Sequence, residues 1–420
     1  MALERVNLFT KKDFLSFLLL CLFILFYSLL INFQDYKKLT RFDTHLVDAN
    51  VLKQYIKTKG TKSYQILKLK TDDGTVFYSS AKKNFKDVKG KKLSLEISTR
   101  HMTFYEYLTS FYAYSKVIHI DKTQTLKQKL NSYIQSQHIN KDITNIYQAL
   151  FSATPLTKDL QSTFSFLGVS HLLAISGFHL GVLSALLFFI LKPLYGFFQN
   201  RYFPYRNSKS DIFLVVAFSL LLYLLFLDSP PSLLRSFAML IIGFTLYDRG
   251  IKIISMQTLL LTVMLLLSFF PKLLFALGFW LSVSGVFYIF LFLIHFKHLS
   301  KIWQFILAPS WVYLMMLPHS LVIFSSFSIY HPLSIIWTTL FTLFYPISIF
   351  LHIFGFGNLF DGMLESFISL AQNKVTVVLG YEWLAIHVTL SLISIYKKSF
   401  VWLLLCSSFS FLVYAIYHVT

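Results

Sequence analysis

Ten apolar runs dominate the sequence and decide what it can fold into. Eight, at about 14–33, 165–190, 212–228, 231–247, 253–270, 273–295, 303–325 and 333–354, are of the length, roughly 17–25 residues, that a helix needs to cross a bilayer. Two weaker runs follow near 383–396 and 400–418. Of the 420 residues, 55% are hydrophobic and 14% charged. With a mean hydropathy of +0.61, the chain is too apolar for an ordinary soluble domain. The first run is longer than a signal-peptide core and is followed by "NFQDYKK" rather than a small-residue cleavage site, so a retained helix is expected. The two cysteines, Cys21 and Cys406, each lie inside an apolar run, where neither a disulfide framework nor a metal cluster is expected.

Lys and Arg in short loops mark the cytoplasmic side. Arg5, Lys11 and Lys12 precede the first run; Lys192, Arg201, Arg206 and Lys209 follow the second; Arg249 and Lys252 follow the fourth; Lys297 and Lys301 follow the sixth. The alternate loops, "DSPP" at 228–231 and "SIYHP" at 328–332, carry none, and "PK" at 271–272 carries one. The N-terminus is therefore expected inside and residues 34 to about 160 outside. Beyond 354 the rule fails, because Lys397 and Lys398 would fall outside if every run crossed once. The amphipathic stretch Leu359–Leu370 is expected to lie in the membrane interface instead.

The outside segment alternates polar and apolar residues at 46–57, 63–70, 75–80, 92–98 and 113–120, the period of strands. Asp72-Asp73-Gly74 provides a tight turn, and helices are expected at about 123–137 and 141–153. Five short strands in so small a domain point to a closed, OB-like barrel. The expected fold is thus a polytopic α-helical membrane protein with a small extracytoplasmic β (OB-like) domain. It divides into a tail and transmembrane helix (1–33), the OB-like domain (34–122), a helical connector (123–164) and a multi-helix channel domain (165–420).

Residues 34–160 carry 22 Lys or Arg against 11 Asp or Glu, an excess of 11 within the chain's +19. In "AKKNFKDVKGKK", Lys82, Lys83, Lys86, Lys89, Lys91 and Lys92 surround Phe85, with Tyr64, Phe77 and Tyr78 on nearby strands. Cations for phosphates beside rings for bases suit a single-stranded nucleic acid. A solvated face, or one drawn to anionic headgroups, accounts for the lysines equally well.

Within the apolar part, three stretches carry polar groups. "HLLAISGFHLGV" (171–182), taken as one helix, places Gly177, Gly181 and Ala185 on a small-residue stripe that admits a neighbouring helix. His171, Ser176 and His179 fall on the opposite arc. The plainer alternative makes Ser176-Gly177 a helix bend with both histidines bonded to backbone carbonyls. "DSPPSLLRSFAMLIIGF" (228–244) opens on two prolines and sets Ser232, Arg235, Ser236, Met239 and Gly243 on one face. Arg235 either snorkels to the interface or faces a water-filled path. "GFWLSVSGV" (278–286) groups Gly278, Ser282 and Gly285 for helix packing, away from Trp280 and Ser284. No HExxH or CxxC accompanies the histidines, so no metal is expected.

"HLLAISGFHLGVL", "PPSLLRSFAM" and "LGFWLSVSGVFYI", in that order and followed by a segment ending "FYPISIF", closely resemble the competence domain of the ComEC family. These are inner-membrane proteins through which naturally transformable bacteria take up DNA. The resemblance departs at Phe341 and Thr342, where the family usually has an asparagine, and in "ALFSATPLTKDL", which lacks a frequent Gly-Asp pair. No HxHxDH cluster occurs, so the nuclease activity of a metallo-β-lactamase-like domain does not carry over, and no P-loop supplies ATP hydrolysis.

The resemblance implies a non-enzymatic channel, without cofactor or metal, carrying single-stranded DNA through the bacterial inner membrane. Ser232, Arg235, Ser236, Ser176 and the two histidines would line its path. Implied partners are single-stranded DNA, the lipid bilayer, cytoplasmic DNA-binding or helicase motor proteins and a periplasmic DNA-binding protein; a homo-oligomer is left open. The rivals are a small-molecule or glycan transporter, which predicts an inverted repeat the sequence does not display, and a non-conducting scaffold.

Overall fold

The alternating runs after residue 44 form strands, and the apolar runs form helices. The structure, a computed structural model, describes residues 11–59, 62–72, 74–100, 102–121, 125–202, 204–249, 254–371 and 375–419. The N-terminal tail with Arg5, Asp73 of the expected turn and Lys252 lie outside the described residues. The chain divides into two compact units.

One unit comprises Lys11–Tyr133 with Met264–Ala276. Helix α1 (Lys11–Leu39) leads into β1 (Thr44–Lys59), β2 (Lys62–Thr71), β3 (Val76–Ala81) and β4 (Lys92–Ser98). Helix α2 (Phe104–Thr109), β5 (Phe111–Tyr112), β6 (Ser115–Ile120) and α3 (Leu126–Gln137) follow. The sheet order is β5-β3-β2-β1-β4-β6. Its two edges are consecutive pieces of one segment, and the backbone joins them: Ala113 N–H donates to Tyr78 on β3, while Tyr114 C=O accepts from Ser98 at the end of β4. The sheet therefore closes on itself. Strand β1 is 16 residues long and pairs with both β2 and β4; a bulge between Val51 and Lys53 gives the curvature that closure needs. Alternation fills the interior with Val51, Leu67, Leu69, Phe77, Leu93, Leu95 and Ile97. Two glutamines fasten the segment between β3 and β4 over one end. Gln54 donates to Lys86 C=O at 3.0 Å and accepts from Val88 N–H at 2.9 Å. Gln65 donates to Lys83 C=O at 2.7 Å and to Phe85 C=O at 3.1 Å.

The other unit is helical. It holds α4 (Lys141–Ser152), α5 (Lys158–Phe166), α6 (Ser170–Leu173), α7 (Gly177–Tyr202), α8 (Ser208–Phe226), α9 (Pro231–Asp248) and the first part of α10 (Met256–Phe269). Then come α11 (Leu277–His295), α12 (Lys301–Phe324), β7 (Ser326–Phe327), α13 (Ser334–Ile353), α14 (Asp361–Ser369), β8 (Val375–Thr376), α15 (Tyr381–Ile393) and α16 (Lys398–Tyr417). Among the described residues, seven helices are long and apolar enough to cross a membrane: α1, α7, α8, α11, α12, α13 and α16. Helices α10 and α15 are apolar but shorter.

One expectation is corrected here. The run at 165–190 is not one helix. Gly168 takes φ +73°, and a Cβ there would lie 2.8 Å from the His331 ring. The chain therefore breaks after α5, makes the single turn of α6, goes extended at Ala174 and restarts at Gly177. Helix α14 packs back along α13, with Phe367 4.5 Å from the Trp337 ring. β8 then pairs with β7, Ser326 opposite Thr376 and Phe327 opposite Val375. The chain thus returns from α14 to the end of α12 where it left.

Candidate functional site

The break before α7 is built by its own side chains. Ser176 Oγ accepts from Phe178 N–H at 3.3 Å, capping the new helix as a serine at an N-cap does. His179 Nδ1 accepts from Ser176 N–H at 3.3 Å, closing the reciprocal half of the cap. The His179 ring is fully buried, with centroids 5.3 Å from Phe341 and 4.7 Å from Tyr345. His171 stands on α6, its Nε2 3.2 Å from Thr338 Oγ1. Because α6 and α7 are separate, the two histidines do not share a helical arc with Ser176. They meet instead along one face of α13, at Thr338, Phe341 and Tyr345.

The broken segment rests on α9. Ser232 Oγ donates to Ile175 C=O at 2.8 Å, and Ser236 Oγ to Ser232 C=O at 2.8 Å. At Gly177 a Cβ would lie 2.4 Å from Ser236 Oγ, so this glycine admits a true close approach. The rest of the expected stripe does not: Gly181 and Ala185 are exposed. A Cβ at Gly181, Gly278 or Gly285 would meet nothing within 4 Å. Helix α7 packs through larger groups, Leu183, Leu187 and Leu191, against the cluster that holds Ile212, Val216 and Leu220 of α8. Aliphatic burial, not small-residue contact, joins these helices.

Arg235 does not snorkel. It is 3% exposed, and its Nη2 donates to Ser236 Oγ at 3.1 Å. Nε and Nη1 are buried without a hydrogen-bond partner, and among the described residues no carboxylate pairs with it. A buried cation with unmet donors is costly, and an anion brought against it would supply what the fold withholds.

In the barrel, alternation separates residues that the sequence reading had grouped. Phe77 is 0% exposed and stacks on Phe111 at 5.4 Å inside the core, so it offers no base a surface. Phe85 also packs against that core. Lys82, Lys83, Lys86 and Lys91 are exposed. Lys92 pairs with Asp72 at 2.6 Å, which holds its ammonium above the usual lysine range. Burial pushes the Lys89 ammonium down.

The outer face of β1, β2, β3 and β5 carries a different set. Lys53 lies opposite Lys68, Lys68 opposite Tyr78 and Tyr78 opposite Tyr112; Lys57 faces Tyr64, and Tyr55 faces Ile66. Tyr55, Tyr64, Tyr78 and Tyr112 are thus interleaved with Lys53, Lys57 and Lys68, and with Lys70 two residues on. Lys68 Nζ lies 5.6 Å from the Tyr78 ring centre. Burial, reinforced by the nearby Tyr78 and Tyr64 phenols, holds the Tyr55 phenol above its ordinary value. Tyr64 and Tyr78 of this face stand out in the sequence; the signal for Tyr55 and the four lysines is every second residue of "KQYIK" and "YQILKLK", and Tyr112 lies in neither stretch.

The chain's residues 153–419 match a family profile described as "Competence protein". This chain belongs to the competence protein family. Similar also is ComE operon protein 3 of Bacillus subtilis (strain 168), 33% identical over 167 residues, which are 39% of this chain and 20% of that protein. The chain thus spans about a fifth of the length of the relative it matches. No solved structure matches. The competence-family region begins just after α4, so it contains the α6–α7 break, α9 with Arg235, and α13. Within the described residues no group of three or more His, Cys, Asp or Glu could hold a metal ion.

Proposed function

We propose that this chain carries single-stranded DNA across the bacterial inner membrane during transformation, the extracytoplasmic barrel gathering the strand and α9 receiving its phosphates. The observation that carries this reading is Arg235, a buried guanidinium with two unmet nitrogen donors in a competence-family chain. A phosphodiester is a singly charged anion with oxygens to spare, and it leaves as easily as it enters when contacts are few, as conduction requires. Ser232 and Ser236 hold the site against the α6–α7 break, and His179 positions that break from the α13 side.

The barrel reads as OB-like, since one long strand pairs on both sides and the last segment closes both seams. Its tyrosine and lysine face has the stacking groups and cations that sequence-tolerant strand binding uses. The β7–β8 pairing supports a revised crossing pattern in which α13 and α14 leave and return on the outer side. Helix α15 then crosses inward, and Lys397 and Lys398 join Lys297 and Lys301 inside, as the loop-charge rule asks.

The test is transformation with Arg235→Gln at matched protein level, with photocrosslinkers at 171 and 235 exposed to incoming labelled DNA. Loss of a charge-assisted contact of about 1.5–3 kcal/mol should lower uptake roughly ten- to hundredfold. Unchanged uptake with no crosslink would sink the reading.

A further inference from the structure

A chain of hydrogen bonds is buried where α3 turns into α4. His138 Nδ1 lies 2.9 Å and 3.1 Å from the two carboxylate oxygens of Asp361 at the start of α14. His138 Nε2 lies 3.0 Å from His352 Nε2, and His352 Nδ1 lies 2.7 Å from Ser348 C=O, both near the end of α13. The His138 side chain is wholly buried. Tyr147 of α4 stacks on it at 4.6 Å and 9°, and Phe151 closes on His352 at 4.9 Å. One turn along α14, Glu365 accepts from Asn140 at 2.8 Å. Gln137 completes the joint, donating to His352 C=O at 3.0 Å and accepting from Gly357 N–H at 2.9 Å.

The chain of contacts has a carboxylate at one end and a carbonyl at the other, and neither carries a hydrogen of its own. Three hydrogen bonds in series therefore need three hydrogens. Two neutral imidazoles bring two. We propose that His138, His352 and Asp361 form a proton-binding site, holding one proton beyond the neutral rings and thereby locking α4 to the α13–α14 hairpin. The count is the same whether the extra proton sits on either ring or on the carboxyl. Without it, two lone pairs must face each other in a buried site, which costs as any unmet buried acceptor does, and the joint loosens.

The facing groups are Tyr147 from α4, Asp361 and Glu365 from α14, and His352 from α13; among the described residues no Lys or Arg is paired with Asp361. The third hydrogen belongs to the folded joint, so what it stabilises is present while that hydrogen is held and is lost once rising pH removes it.

Asp361→Asn separates proton binding from simple packing, because its amide brings the third hydrogen and donates to His138 Nδ1. The full chain in nanodiscs is heated across pH 6 to 9. Wild type should lose about 2–4 °C in Tm over a range where Asp361→Asn stays level, while His138→Ala sits low throughout. Across that pH range, unfolding in weak buffer should release up to one more proton from wild type than from Asp361→Asn. Parallel Tm profiles with equal proton release would overturn the site, as would an Asp361→Asn variant as unstable as His138→Ala at every pH.

Discussion

Gly177 and Arg235 meet across Ser236, and that contact ties a backbone position to a charge. A Cβ at Gly177 would strike the hydroxyl that Arg235 Nη2 bonds. Gly177→Ala should therefore destabilise by about 1–3 kcal/mol, the cost of overpacking, read as a lowered Tm of the full chain. Adding Ser236→Ala should recover part of the loss, since it removes the struck oxygen. Both residues were legible in sequence, Arg235 as a charge inside an apolar run and Gly177 as part of a small-residue stripe. Their relation was not, because it depends on α9 lying against a segment some sixty positions earlier. For the same reason Gly181 passed for a contact: spacing reveals a stripe, but only a neighbour makes it one.

At the scale of elements, period two decided the barrel and also what the barrel displays. The strands stood out as alternating runs, yet Phe77 and Tyr78 are adjacent and point oppositely, and nothing in the lysine-rich segment said which was inside. Alanine at Tyr64, Tyr78 or Tyr112 should each weaken oligonucleotide binding by about 1–3 kcal/mol, the worth of one stacked base, without lowering Tm. Phe77→Ala should do the reverse, losing about 3–5 kcal/mol of stability when unfolding is followed by circular dichroism. One continuous helix at 165–190 is the wrong reading, because an apolar run looks continuous whether or not its backbone is; the alternative of a bend at Ser176-Gly177 agrees with the restart at Gly177. Gly168 and Ser176 were the visible breakers, and the His331 ring that forces the first break comes from the far side of α12.

For the whole molecule, the proposed order of crossings rests on two residue pairs. Counting charges in loops assumes that each apolar run passes through once, an assumption that suits the loops to 354 and does not suit Lys397 and Lys398 beyond it. The pairing of β7 with β8 yields a checkable arrangement: cysteines at Lys297 and Lys397 should react with an impermeant thiol reagent only in inverted vesicles, and one at Ile329 only in right-side-out ones. Labelling of 297 and 397 from opposite sides would refute it. The barrel's closure has a mechanical sequel. Because Phe111–Ile120 supplies both edges, a pull on the chain beyond Ile120 reaches the β4–β6 seam first. The β3–β5 seam takes the load only after that one has opened, so under tension the barrel becomes an open sheet before it loses a second pairing.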